Sequence, residues 1–345
     1  MPATPSRPFS LALLGATGAL GRAVLEVLED LDVPATEVRL LATDRSAGQE
    51  IDLRGEPHRV AAVDAAGFAG ADVAILAAGE AASLRWAPIA RAAGCLVVDG
   101  SAAFRGDPAV PLVVPQVNPA ALDAAGEGMV ASPGALAVAL ALVLGPLDRA
   151  AGIASASVVA LEAVSGAGRS GVEQLERELA DLMNGREPPE PTGIPHRIAF
   201  NLVPQIGPVD ADGAAEGEVR LAAELRRLLG RPGLPLAVTA LRAPVFHGHA
   251  AAVHLALARP LEPEAARALL RSAPAVKVID RPAERIYPMP MLAVNDDAVL
   301  VGRIRAVGEA PGGLALFLAI DDLRKGGAGN LVELALALLA RRSAH

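Results

Sequence analysis

The residues of this chain that could do chemistry fall into three groups. Gly15, Gly18 and Gly21 recur at intervals of three in the run Gly15-Ala16-Thr17-Gly18-Ala19-Leu20-Gly21. A pyrophosphate has to approach backbone N–H groups at a helix N-terminus, and a Cβ at these points would block it. With Thr17 and Leu20 between the glycines, the run reads as a dinucleotide-binding turn. About twenty residues further on, where an adenosine ribose is read, stand Thr43, Asp44, Arg45 and Ser46. A lone acid there would indicate NAD. Arg45 with the hydroxyl groups of Thr43 and Ser46 makes a cationic, donor-rich pocket suited to a 2′-phosphate, so the expected cofactor is NADP, with Asp44 facing solvent. The second group is Arg105, Arg242 and His249. A planar guanidinium pairs bidentately with phosphate or carboxylate, and an imidazole moves protons near neutral pH. His247 and His254 lie close by, but with no cysteine or further carboxylate ligand evident the three histidines are not read as a metal site. The third group is Cys95 alone, the only cysteine, which opens the apolar run 95–98 and reads as a small buried hydrophobe.

These residues need elements to position them. An apolar run at 9–14 precedes the glycines, and Val24, Leu25, Val27, Leu28 and Leu31 follow at helical spacing. Strand, glycine turn and helix in that order lift the motif above chance. Further strands are predicted at 38–42, 72–77, 96–98 and 129–131, with a helix at 82–93. Ala78 and Gly79 end the strand at 72–77 with small residues where a nucleotide could lie. The alternation predicts a mostly parallel sheet with helices on both faces. An apolar helical run then begins at Ala135, after Ser132-Pro133-Gly134.

In the second half the pattern predicts a strand at 154–162, a glycine-rich turn at 163–171 and a helix at 172–183. A surface loop rich in Pro and Glu follows at 186–195, then a helix at 219–229. Strands at 236–241, 250–257, 300–305 and 314–320, with a helix at 263–271, imply an open mixed sheet. The last helix, 328–342, carries a wide apolar face. No internal repeat or long linker is evident.

A chain of 345 residues exceeds what one core usually supports, so two domains are expected. With 52% hydrophobic residues it is no candidate for disorder, and with 2% aromatics it must pack on Ala, Leu and Val. A formal charge of −8 without a long basic run argues against nucleic acid or an anionic membrane as partner. One cysteine fits a reducing compartment. The N-terminus MPATPSRPFS holds no apolar signal core, and the apolar run 135–144 is about half a bilayer span, so a cytoplasmic protein is expected.

Several stretches, spread in order through almost the whole chain, resemble the aspartate-β-semialdehyde dehydrogenase family. They are GATGALG, TDRSAG, VVDGSAAFR around Arg105, VPLVVPQVN ending at Asn118, and EAVSGAG from Glu162. FNLVPQIG, RAPVFHGH ending at His249, VGRIR and DLRKGGAGN follow. FNLVPQIG and RAPVFHGH set the chain apart from the related N-acetyl-glutamyl-phosphate reductases. The resemblance implies NADPH-dependent reduction of an acyl phosphate through a cysteine thioester. It matches His249 to the acid–base histidine, Arg105 to the phosphate-gripping arginine and Arg242 to the carboxylate-gripping one. It adds Asn118 and Arg220 to the anion-binding residues, and Ala78, Gly79, Ser165, Gly166 and Asp322 to those around the cofactor. The stretch Ser165-Gly166-Ala167-Gly168 closes over the nicotinamide in that family.

The departures cluster on the site. The family has Asn-Cys where this chain has Gly134-Ala135, and Gln where it has Glu162. A glutamate is replaced by Ala251, a substrate-side lysine by Arg220, and Asp-Asn by Asp321-Asp322. Because Gly134, Glu162 and Ala251 depart together with Ala135, the site has drifted as a whole, and the nearer resemblance is to the cysteine-lacking, Usg-like branch. A methyl group cannot hold an acyl group, and losing a nucleophile costs on the order of six decades of turnover in a protease. The expected fold is α/β: a Rossmann-type NADP-binding domain at 1–133, with the C-terminal helix of 326–345 packing back on it. A semialdehyde dehydrogenase-type dimerisation domain with an open mixed sheet is expected at 134–325. The leading reading is a homodimeric pseudoenzyme that binds NADP(H) and a small anionic molecule. The alternatives are an oxidoreductase reducing a carbonyl directly with His249, and a regulatory subunit of an active relative.

Overall fold

Strand β1 (Phe9–Leu14) is buried at every position but Ser10, as a strand covered on both faces of a parallel sheet must be. The computed structural model describes residues 8–125, 128–308 and 312–342. After β1 come α1 (Ala19–Asp30), β2 (Ala35–Ala42), the hairpin β3 (Glu50–Leu53) and β4 (Glu56–Arg59), and β5 (Ala61–Ala62). Then follow β6 (Val73–Leu76), α2 (Glu80–Ala92), β7 (Leu96–Asp99) and β8 (Met129–Ala131). The first sheet has the order β5-β2-β1-β6-β7-β8, and each pair is parallel. Parallel neighbours need crossovers, and α1 supplies one by burying Val24, Leu25, Val27 and Leu28. The C-terminal helix (Asn330–Arg342) packs on β6, β7 and α1.

Two features of this unit differ from the sequence pattern. Strand β2 starts three residues before the expected 38, because backbone pairing of Glu37 with Ser10, and a Thr36 Oγ1 bond of 3.2 Å to the Phe9 carbonyl, extend a segment with no apolar signal. The β3–β4 hairpin was not anticipated. Only Ile51 and Leu53 of it are buried, too few to show a period, and Gly55 at φ 78° makes the turn.

The second unit begins with α3 (Ala135–Ala151), buried on every side from Leu136 to Gly145. A helix apolar all round needs cover all round, and it touches strands on one side and two helices on the other. It is followed by β9 (Ile153–Glu162), α4 (Arg169–Met183), α5 (Glu216–Leu228), β10 (Leu236–Arg242) and β11 (His249–Leu257). Next come α6 (Pro263–Arg271), β12 (Val276–Val278), α7 (Pro290–Ala293), β13 (Val299–Ala306) and β14 (Gly313–Ile320). The sheet order is β10-β9-β11-β14-β13-β12, with the outer pairs parallel and the inner pairs antiparallel, the mixed sheet that was expected. The short β12 and α7 carry too little pattern to foresee. By contacts the chain divides into residues up to Gly134 with those from Gly326 onward, and Ala135–Lys325.

The loop after α4 is pinned by two buried polar side chains. Gln174 Oε1 accepts from the amides of Gly193 and Ile194 at 3.0 and 2.8 Å. Glu178 Oε2 accepts from Ile198 and Ala199 at 2.9 and 2.8 Å, and Oε1 from Gln174 at 2.8 Å. Removing Glu178 would orphan the Ile198 and Ala199 amides at a position 2% exposed, while Gln174 Nε2 keeps the Ile194 and His196 carbonyls. Glu178→Ala is therefore expected to destabilise the second unit by about 3 kcal/mol or more in urea unfolding. Glu173→Ala, which breaks only an exposed pair with Arg169, should cost less than about 1 kcal/mol.

Candidate functional site

In the first unit, β1 delivers the chain into the glycine turn. Gly15 has φ +92°, and a Cβ there would lie 2.6 Å from the Ala77 carbonyl oxygen at the end of β6. A Cβ at Gly21 would run into the Gly15 carbonyl, whereas at Gly18 the nearest atom is 3.3 Å away. Two glycines thus serve close packing and the third leaves the helix end open. Gly18 is the residue before α1 and makes no side-chain cap. The first-turn N–H groups therefore await an outside acceptor. Thr17 and Leu20 are half-buried beside it, and Ala78 and Gly79 lie exposed after β6. Asp44 and Arg45 are exposed on a short turn that also holds Ser46. The Arg59 side chain comes within 3.9 Å of where a Gly48 Cβ would be, a second guanidinium near this turn. Sequence reasoning missed it because it lies on the unforeseen strand β4. An uncapped helix end, a cradle with no side chains and exposed guanidinium groups together fit a dinucleotide.

Further along the same sheet edge, two carbonyls hold the Arg105 guanidinium: Ser132 O on Nε and Gly100 O on Nη2, both at 2.9 Å. Buried Asn330 donates to Ser132 Oγ at 2.8 Å, tying the C-terminal helix to the end of β8. That contact joins residues far apart in sequence, and nothing local announces it. Asn118 has a structural role in its own turn. Its Oδ1 accepts from the Val114 amide and its Nδ2 donates one hydrogen to the Leu112 carbonyl, both at 2.9 Å, so the side chain fixes a turn.

In the second unit, sheet topology assembles the polar cluster. Strands β9 and β10 are parallel, with Glu162 opposite Arg242 in register at their C-terminal ends. Strand β11 runs the other way, so its first residue, His249, comes to the same edge, opposite Ile320 near the end of β14. Asp322 follows two residues later. Four strand termini thus bring Glu162, Arg242, His249 and Asp322 together.

The Arg242 Nη1 donates to the Ala163 carbonyl at 2.7 Å and stands 3.2 Å from Glu162 Oε2. Burial pushes its pKa down, and Glu162 and Asp322 only partly offset this. The Ala163 amide donates to His249 Nδ1 at 3.2 Å, so a neutral imidazole carries its proton on Nε2. Asp322 Oδ1 lies 3.7 Å from His249 Nδ1 and accepts from the Gly248 amide at 2.9 Å; Oδ2 accepts from Ser165 Oγ at 2.7 Å. A Cβ at Gly166 would lie 2.6 Å from Arg242 Nη1 and 3.2 Å from His249 Nε2, so only glycine lets this turn sit against both groups. Arg220 pairs with Glu216 on α5 and is not joined to the cluster by hydrogen bond or ion pair. Ala251 is fully buried within the sheet.

Ala135 is the first residue of α3 and offers no nucleophile. Cys95 is 4% exposed at the start of β7, and its thiol donates to the Phe68 carbonyl at 3.2 Å. Burial pushes this thiol's pKa up, away from thiolate at neutral pH. Among the described residues no group of three His, Cys, Asp or Glu side chains could hold a metal, and no helix is long and apolar enough to cross a membrane.

Comparison with known proteins places this geometry in a class. Residues 10–125 match the semialdehyde dehydrogenase NAD-binding domain, and residues 144–325 match the semialdehyde dehydrogenase dimerisation domain. The aspartate-semialdehyde dehydrogenase of Aquifex aeolicus is 37% identical over 96% of this chain and 98% of its own length. A USG-1 protein homolog from Azotobacter vinelandii is 38% identical over 97% and 98%. The crystal structure of aspartate semialdehyde dehydrogenase II from Vibrio cholerae complexed with ASA superposes with a TM-score of 0.93. It is 34% identical and covers 99% of this chain and 100% of that one. The chain belongs to the aspartate-semialdehyde dehydrogenase family.

The thiol geometry has a direct check. Native protein at pH 7 should leave Cys95 unmodified by iodoacetamide over hours, and one equivalent should react once the chain is unfolded in guanidinium. Fast modification of the folded protein would contradict the burial described here.

Proposed function

We propose that this chain is a homodimeric, NADP(H)-binding pseudoenzyme that does not catalyse the phosphate-dependent oxidation of aspartate semialdehyde. The observation that carries this reading is the absence of any accessible thiol: Ala135 opens α3, and the one cysteine is buried in the other unit. Bound NADPH would supply hydride. Gly15, Thr17, Gly18, Leu20 and Gly21 would take the pyrophosphate, and Arg45 with Ser46 the 2′-phosphate. Ala78 and Gly79 would complete the cofactor contacts of the first unit, and in the second unit Ser165, Gly166 and Asp322 keep the cofactor role the family resemblance gives them. Arg105 keeps the anion-gripping role assigned to it, while Arg242 is already paired within its own unit. The dimerisation domain, with Ser157 and Val159 of β9 exposed on the open face of its sheet, supports a two-fold dimer.

A second reading has one observation in its favour. His249 keeps an N–H on Nε2, which could donate to a carbonyl oxygen during direct hydride transfer without a covalent intermediate. Turnover of NADPH against a panel of small aldehydes would establish it. Co-purification of a second dehydrogenase chain from the native cell would establish a regulatory subunit.

Calorimetry should show NADP(H) binding tighter than NAD(H), with most of the preference lost in Arg45→Ala, since a charge-assisted bond contributes about 1.5–3 kcal/mol. Equal affinities would remove the role given to Arg45. The protein as written should show no phosphate-dependent oxidation of aspartate semialdehyde above the blank. Ala135→Cys should give a thiol that alkylates rapidly at neutral pH but supports little turnover. Gly134→Asn and Glu162→Gln added to it should recover more, because small misplacements of reacting atoms cost on the order of a hundredfold.

A further inference from the structure

Arg242 is a buried cation of the second unit, and the fold has already given it an anion. Its side chain is 8% exposed and that of Glu162 is 18% exposed, with Nη1 and Oε2 3.2 Å apart. The Asp322 carboxylate, 5% exposed, stands on the other side of His249. With a neutral imidazole the cluster therefore holds one cation and two carboxylates, fixed by hydrogen bonds to Gly248, Ser165 and Ala163. A ligand carboxylate arriving here meets a guanidinium whose charge is already countered, beside two negative charges in poorly screened surroundings. An uncharged carbonyl oxygen meets no such repulsion, and can still accept from a guanidinium N–H or from His249 Nε2–H.

We propose that Glu162 is the specificity-determining residue of this cluster: by holding Arg242 it excludes carboxylates and leaves a site for a small ligand presenting an uncharged carbonyl oxygen. This rests on the reading of the cluster as a ligand site and is independent of whether any turnover occurs. Sheet register as well as sequence places Glu162 here, because Arg242 and Glu162 are direct partners across β9 and β10.

Propionate and propionamide, alike in shape and unlike in charge, test the assignment on the full chain. The readout is the imidazole 15N shift of His249, identified by its loss in His249→Asn. Propionamide should bind at least tenfold more tightly than propionate to the natural sequence. Glu162→Gln should abolish or reverse that order, and Glu162→Asp should keep it. Should Glu162→Gln fail to fold, Glu162→Ala removes the same charge and should admit propionate equally. Propionate binding as tightly as propionamide, a preference that survives loss of the Glu162 charge, or no shift with either probe would each overturn the proposal. Turnover of aspartate semialdehyde would instead overturn the pseudoenzyme reading, so the two fail on different measurements.

Discussion

Both backbone polar groups of Ala163 are held by side chains of the cluster: its N–H by His249 and its C=O by Arg242. One small residue, fully buried just past the end of β9, therefore sets the positions of the imidazole and the guanidinium together. Its own place is fixed by the pairing of β9 with β10 on one side and β11 on the other. A one-residue slip of β9 would turn Glu162 to the opposite face and detach both groups at once. The site is thus as rigid as the centre of the sheet, although every functional atom in it lies at a strand end.

Charge is managed differently in the two units. Two backbone carbonyls, of Ser132 and Gly100, accept from the Arg105 guanidinium and help fix its direction. A carboxylate holds Arg242, fixing direction and countering charge together. Hydrogen bonds from Gly248 and Ser165 likewise anchor Asp322 before any ligand enters. Preorganised in this way, the second unit discriminates among ligands by what it repels, a form of specificity that costs no contact with the favoured ligand.

Much of the fold was legible because its elements carry strong periods. The buried run of β1, the glycine turn and the helical spacing of α1 could be read to the residue at the strand, and the mixed sheet followed from its alternating strands. The elements missed were those too short or too exposed to hold a period: the β3–β4 hairpin, β12 and α7. At the site, residue types and motif context pointed to Arg242, His249 and Glu162, but not to the pairing among them, which arises from strand register. Asn118 shows the converse limit. The family resemblance gave it an anion-binding role, and its hydrogen bonds to the backbone of its own turn are a structural role that no motif announces. Asn330, Arg59 and the Glu178 clamp depend on contacts between distant segments, and no local pattern encodes them.

A protein whose work passes through an exposed thiolate is switched off by peroxides and electrophiles, since sulfur at the head of a helix is the first atom they find. This chain has a methyl group at that helix start and keeps its one thiol in the dry interior, hydrogen-bonded to a carbonyl. With no thiol at that helix start, such reagents find no thiolate there to modify.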